Sequence, residues 1–388
     1  MKLNWTPQEE AFRAELRKFL DTVDLGKPPK DKPGRIAWAR RWNATLFDNG
    51  YAGPGWPEEY GGMALDLRRQ VIYHEELTRA RVPSHPGTGV GLCGPTIIKY
   101  GTPEQRERFL RPMLRSDVVW CQAFSEPGAG SDLQSLTTTA RRDGDDYVVN
   151  GQKVWNSTAD AADMAFALVR TGARDSRQKG ISYLLIDMTS PGVTVRPLKD
   201  ITGGSTFCEI FFDDVRVPVA NRIGEENEGW KITRTTLGHE RSAGVLTQAA
   251  FYRTIVDEIY DLLRERGVTE DSVARDRLAE LEVQTRLLQV NAMRILSHIQ
   301  EYGEPGPIAS VSRLINSGFE QRLHEIVLEL LGPAGLLDGP DGVQGRRWTY
   351  GYLRTRASTI GAGTMEIQRN AVAEQVLGMP FDPAMPPR

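Results

Sequence analysis

From Gln8 to Val23 the apolar residues Ala11, Phe12, Leu16, Phe19, Leu20 and Val23 recur every three or four positions, the period of an amphipathic helix. Thr6-Pro7, followed by Glu9 and Glu10, marks its start, because proline is tolerated at the first helical position. Arg35 to Asn49 and Asp66 to Ala80 read as further helices, and Thr102-Pro103-Glu104 opens another that ends near Leu114. The stretch G-W-P-E-E-Y-G-G, Gly55 to Gly62, is a loop between two of them.

The pattern then changes. Short runs rich in β-branched and aromatic residues follow: Tyr147 to Trp155, Ala165 to Val169, Ile181 to Ile186, Val193 to Val195 and Glu209 to Phe212. Gly, Pro and Asp punctuate them, which predicts a small antiparallel sheet or barrel. From Asn227 long helices return. One stripe holds Val245, Ala249, Tyr252, Val256, Ile259 and Leu263. A second holds Leu278, Leu281, Leu288, Ala292, Ile295 and Ile299, and a third holds Ile315, Phe319, Leu323, Ile326 and Leu330, stopped by Gly332-Pro333. With a last helix after Thr364 these make a four-helix bundle. The chain is therefore of the α+β class. Its expected domains are helical over residues 1–117, a β-barrel over 118–226 and a helical bundle over 227–388.

Composition narrows the function only by exclusion. A net charge of −3 carries no electrostatic footprint for nucleic acid. The three cysteines, Cys93, Cys121 and Cys208, are far apart and odd in number. That fits free thiols in a reducing, cytoplasmic compartment. The five histidines show no metal-ligand spacing. No apolar run approaches the ~20 residues of a membrane span, and the polar, acidic N-terminus is unlike a signal peptide.

Two segments carry chemistry. S-E-P-G-A-G-S-D, Ser125 to Asp132, sits at a strand end, and its glycines let main-chain N–H groups approach a ligand. Alone, it reads equally well as a tight loop with no ligand. N-G-Q-K-V-W-N-S, Asn150 to Ser157, adds a flat indole and a hydroxyl to the same small sheet, the groups a flavin ring needs.

Taken in order, these motifs resemble the acyl-CoA dehydrogenase family. So do F-F-D-D-V-R-V-P (Phe211 to Pro218), G-E-E-N-E-G-W (Gly224 to Trp230) and the closing G-T-M-E-I-Q-R. The resemblance covers nearly the whole chain. It implies an N-terminal helical domain, a β-barrel domain, a C-terminal four-helix bundle and an FAD cofactor. The implied reaction removes a proton from Cα and a hydride from Cβ of an acyl-CoA, and the electrons pass to an electron-transfer flavoprotein. Residue by residue, it runs Gln122, Phe124 and Ser125 along the flavin, although the family prefers Tyr and Thr where Gln122 and Ser125 stand. Gly130 and Ser131 reach the FAD phosphates, and Ser131 also reaches the CoA arm. Trp155 covers one ring face, with Asn156 and Ser157 beside it. Thr364 and Glu366 open a helix whose N-terminus suits a phosphate. Gly363 lies on the substrate side.

The same resemblance asks for a carboxylate base, which many members carry as Glu at the position of Ala362. A minority carry it on the first bundle helix, just before an Arg. Here that site reads L-G-H-E-R-S-A-G, so the expected base is Glu240, with Arg241 structural or facing CoA. Read without the family, Glu240 is a lone helical glutamate, and such a residue is usually a surface salt-bridge partner. Ala362 retains its main-chain N–H, which in the family polarises the thioester carbonyl.

The clamp that family homodimers extend over a neighbour's FAD is missing. No R-x-x-F-G motif follows the first bundle helix. The Q-x-x-G-G-x-G loop is replaced by E-L-L-G-P-A-G, Glu329 to Gly335, where a carboxylate repels phosphate and Pro has no N–H. This resembles the heteromeric members of actinobacterial steroid catabolism and implies a paralogous partner in an α₂β₂ assembly, with a homo-oligomer as the alternative. Gly361-Ala362 replaces a bulkier pair, which suits a steroid-derived or branched acyl group. An oxygen-using flavoenzyme of the same fold and a non-catalytic subunit are the rival readings.

Overall fold

A computed structural model describes residues 5–303 and 306–380, and the side chains of residues 239–247 lie outside what it describes. Helices α1 (Pro7–Thr22), α2 (Lys32–Asp48), α3 (Leu67–Arg79), α4 (Gly94–Tyr100) and α5 (Pro103–Arg115) come first. Strands β1 (Trp120–Ala123), β2 (Thr139–Asp143), β3 (Asp146–Ser157), β4 (Met164–Arg170), β5 (Ile181–Asp187), β6 (Val193–Leu198), β7 (Phe207–Pro218) and β8 (Arg222–Ile223) follow. Helices α6 (Gly229–Glu265), α7 (Ser272–Tyr302), α8 (Ile308–Leu331), α9 (Arg347–Thr355) and α10 (Met365–Gln375) complete the chain. The α, β, α order predicted by periodicity is present. Two helices had no expectation. A glycine-rich π-helical turn, Gly89–Cys93, leads into the short α4, and α9 is only nine residues long. Neither is long enough to show a helical period.

The chain forms two compact units: residues 19–66 with 81–240, and residues 1–18 with 67–80 and 241–388. Helix α6 passes from one to the other between Glu240 and Arg241.

The first unit contains the sheet, in the order β6-β7-β3-β2-β4-β5-β8, with β1 pairing β4. It is mixed: β1 runs parallel to β4, and β2 meets β4 in parallel at Thr139 and Arg170. Most pairings are antiparallel, as the expected antiparallel sheet or barrel requires. Hydrophobic alternation reports which face a residue takes and not the direction of its neighbour, so it gave no sign of the two parallel contacts. Tyr147 and Val149 of β3, Ala165, Ala167 and Val169 of β4, and Ile210, Phe212, Val215 and Val217 of β7 form one core. Strand β4 is buried on both faces, which explains its unbroken run M-A-F-A-L-V. Thr102 and Gln105 make a reciprocal capping box at the start of α5, and Gln105 also donates to the carbonyls of Ala220 and Arg222 (2.7 and 2.8 Å).

The second unit is helical. Tyr252, Val256, Ile259 and Leu263 of α6 pack with Leu278, Leu281 and Leu288 of α7 and with Phe319, Leu323 and Ile326 of α8. These all belong to the three predicted stripes, of which Ala249, Ala292 and Ile299 are only half-buried, Ile295 is buried apart from this cluster, and the side chain of Val245 lies outside the described residues. Helix α8 stops at Gly332, whose φ of +57° needs glycine. On α3, Glu76 is 1% exposed and is bonded by Arg13 and Arg17 of α1 and by Arg79. Among the described residues no helix is long and apolar enough to cross a membrane.

Candidate active site

The sheet unit presents a shelf at the ends of β1 and β3. Two hydrogen bonds hold its strands side by side: Asn156 Nδ2 donates to the Gln122 carbonyl (2.7 Å), and Val154 N–H donates to the Ser125 carbonyl (2.9 Å). Between them a bulge from Lys153 to Asn156 throws Trp155 outward. Its φ is +63° and it is 61% exposed, with its ring edge-on to Phe207 at 5.9 Å. A left-handed tryptophan costs about 1–2 kcal/mol, and an exposed indole forgoes burial as well. Such strain is usually found at ligand sites. Ser125, Gln122 and Ser157 are half-buried around it. Phe124 is different: its ring packs inward against Phe166 and Tyr183, leaving only its main chain for a ligand.

The loop after β1 is braced from behind. Glu126 and Ala129 exchange main-chain hydrogen bonds of 3.0 Å, closing a turn that leaves Gly130 and Ser131 exposed. The Glu126 carboxylate turns inward, pairs with fully buried Lys153 (2.8 Å) and accepts from the N–H groups of Thr137 and Thr138. Burial alone would raise the pKa of Glu126, but Lys153 and the threonine donors reverse this and hold it at about 2. Lys153 also donates to the Phe124 carbonyl, and Arg170 donates to the carbonyls of Gln134 and Leu136. The loop is thus a rigid tab with open main chain at the front. An exposed indole, a few hydroxyls and an open glycine loop fit a planar heteroaromatic group bearing phosphates.

The second candidate region lies in the helical unit. The turn before α10 holds Ala362 at φ +55° and Gly363 at φ +90°, both exposed. The Ala362 N–H has no partner among the described residues. Thr364 caps α10 by accepting from Ile367 N–H (3.3 Å), as its position at a helix start requires. Glu366 is exposed on the first turn, its carboxylate pKa lowered by its own N–H and by Thr364. Glu329 faces Arg277 at 3.5 Å, and Pro333 lies in the turn Gly332–Leu336 that follows α8. Glu240 and Arg241 lie on α6, but their side chains are outside the described residues.

Family models for the N-terminal, middle and C-terminal domains of acyl-CoA dehydrogenase match residues 6–117, 121–215 and 227–377. The chain belongs to the acyl-CoA dehydrogenase family. It is 38% identical to the acyl-CoA dehydrogenase IpdE1 of Mycobacterium tuberculosis over 96% of this chain and 98% of that one. Among solved structures it is similar to the Tcur3481-Tcur3483 steroid ACAD (TM-score 0.87, 29% identity, covering 98% of this chain and 100% of that one). It is also similar to the ChsE4-ChsE5 complex of M. tuberculosis (TM-score 0.86, 32% identity, with the same coverage). As a member of this family the protein is an oxidoreductase of the acyl-CoA dehydrogenase type and takes a flavin cofactor.

Sequence reading did not find the Glu126–Lys153 pair or the role of Arg170. A lysine amid apolar strand residues is the one available signal, but its partner is 27 residues away in sequence.

Proposed function

We propose that this acyl-CoA dehydrogenase uses FAD to convert a bulky acyl-CoA into its trans-2-enoyl-CoA, with Glu240 as the base. The observation that carries this is the corner at Ala362. It offers a main-chain N–H in a left-handed turn but no carboxylate, whereas α6 carries Glu240 directly before Arg241. Bound FAD would supply the two-electron oxidant needed for the hydride that leaves Cβ. The protein's residues prepare that step. The Ala362 N–H, with Gly363 beside it, polarises the thioester carbonyl and so acidifies the α-proton. The Glu240 carboxylate accepts that proton, and Arg241, next to it in sequence, serves either the structure or the CoA. The Trp155 indole covers one face of the ring. Gln122, Ser125, Asn156 and Ser157 orient it, Gly130 and Ser131 hold phosphate, and the N-terminus of α10 at Thr364 and Glu366 favours the pyrophosphate.

The small pair Gly361-Ala362 leaves room for a ring-bearing or branched acyl group, and the similarity to a steroid ACAD supports a steroid-derived thioester. Glu329 and Pro333, where phosphate-binding groups are needed, support a paralogous partner that supplies the clamp in an α₂β₂ assembly. The ChsE4-ChsE5 complex and the Tcur3481-Tcur3483 steroid ACAD, each named for two chains, support the same reading. Electrons would leave to an electron-transfer flavoprotein.

Glu240→Gln tests the base. FAD and acyl-CoA binding should persist while turnover falls by ~10²–10⁴-fold; near-normal turnover removes Glu240 from the mechanism. A panel of steroid, branched and straight-chain acyl-CoAs, assayed with the partner subunit, tests the substrate. Preference for the straight chains would sink the bulky-substrate reading.

A further inference from the structure

The Ala362 corner is held by a charged group that is distant in sequence. Arg313, on α8, donates through one guanidinium nitrogen to the carbonyls of Ser358 (2.9 Å) and Gly361 (2.6 Å). The Gly361 carbonyl belongs to the same peptide unit as the Ala362 N–H. In a trans peptide these two groups point in opposite directions, so fixing the oxygen against α8 aims the N–H away from it. The next peptide is pinned as well, because Gln368 Nε2 donates to the Ala362 carbonyl at 3.3 Å. The fit is close: a side chain added at Gly363 would meet Gln368 Nε2 at 2.6 Å. A cation bonded to a peptide oxygen also draws electron density from its nitrogen and strengthens the N–H as a donor, as in any polarised hydrogen-bond chain.

We propose that Arg313 is a positioning residue for dehydrogenation, aiming and polarising the Ala362 N–H at the thioester carbonyl. Gln368 secures the adjoining peptide. The proposal rests on the reading that this N–H is the carbonyl's donor.

The test uses the flavin-loaded enzyme with its partner subunit. The probe is the carbonyl-¹³C form of the enoyl-CoA product from the panel substrate turned over best, and the readout is its carbonyl stretch by difference infrared spectroscopy. The wild type should shift the stretch to lower frequency. Arg313→Met should lose much of that shift and lower kcat by ~10–100-fold, the scale of a small misplacement of a catalytic group, with KM within about twofold. Arg313→Lys should recover part of both. If R313M retains no flavin, Arg313→Gln, which keeps a neutral donor, should show a reduced shift and a lower kcat. A wild-type stretch in the neutral variants, or a loss of kcat without any change in the stretch, overturns the positioning role. No shift in the wild type itself overturns the reading of Ala362, a separate result visible before any substitution is made.

Discussion

Trp155 shows how one residue can carry a cost that the proposed flavin contact would offset. Its left-handed backbone and open indole disfavour the isolated fold. Trp155→Gly removes the strain, since glycine adopts positive φ freely. The flavin-free variant should therefore melt no lower than the flavin-free wild type, while flavin retained through gel filtration drops sharply. Equal retention would show that the indole does not touch the cofactor. Lys153 works the other way. Its ammonium is fully buried against Glu126, so Lys153→Met leaves that carboxylate unpaired and should destabilise the protein by about 3–5 kcal/mol, read as a lower denaturant midpoint. The side chain of Lys153 holds the tab from behind, and its substitution should also loosen flavin binding at the front.

At the scale of elements, α1 and α3 are joined through a buried acid rather than through apolar area alone. Val71 of α3 meets Leu296 of α7, with Trp5, Leu67 and Met293 packed around them. Beside this contact, burial would raise the pKa of Glu76, but Arg17, Arg79 and Arg13 override it and hold the carboxylate at about 2. A carboxylate whose folded pKa lies below its unfolded value stabilises the fold above the unfolded pKa. Its contribution is lost as pH falls from about 4.5 towards 2. Chemical denaturation between pH 6 and pH 3 should show stability falling with pH in the wild type and a smaller fall in Glu76→Gln, which is already destabilised at pH 6. An identical pH slope in both would remove Glu76 from the acid response. Helix α8 has two tasks at once: Leu323 and Ile326 fill the bundle core, while Arg313 reaches the turn before α10.

For the whole molecule, the proposed function gives the chain its own flavin-ring site and leaves the clamp on the FAD to a partner, because Glu329 and Pro333 stand where phosphate-binding groups are needed. Expressed alone, it should bind flavin weakly and substoichiometrically. Co-expressed with a paralogous chain, it should give a heteromer with one FAD per pair, measured by native mass spectrometry and flavin absorbance. A homo-oligomer with one FAD in every subunit would reverse this expectation. Glu126, Lys153, Arg170, Arg313 and Gln368 contact none of the expected reactants directly in this scheme. In the same scheme they set the geometry of the residues that would.

The order of helices and strands, the apolar stripes of the bundle and the candidate flavin and corner segments were legible in the sequence. Each is a local signal: a period, a glycine turn, a cap or a short motif. Thr364 is one example, since a capping residue acts within three positions of itself. The tertiary structure decided what joins distant positions. It set the parallel pairing of β1 with β4, the inward turn of Phe124, the Glu126–Lys153 pair and the reach of Arg313 to Gly361 across 48 residues. Such contacts depend on which surfaces meet in space. One-dimensional patterning records that a residue is buried or charged, but not which partner compensates it.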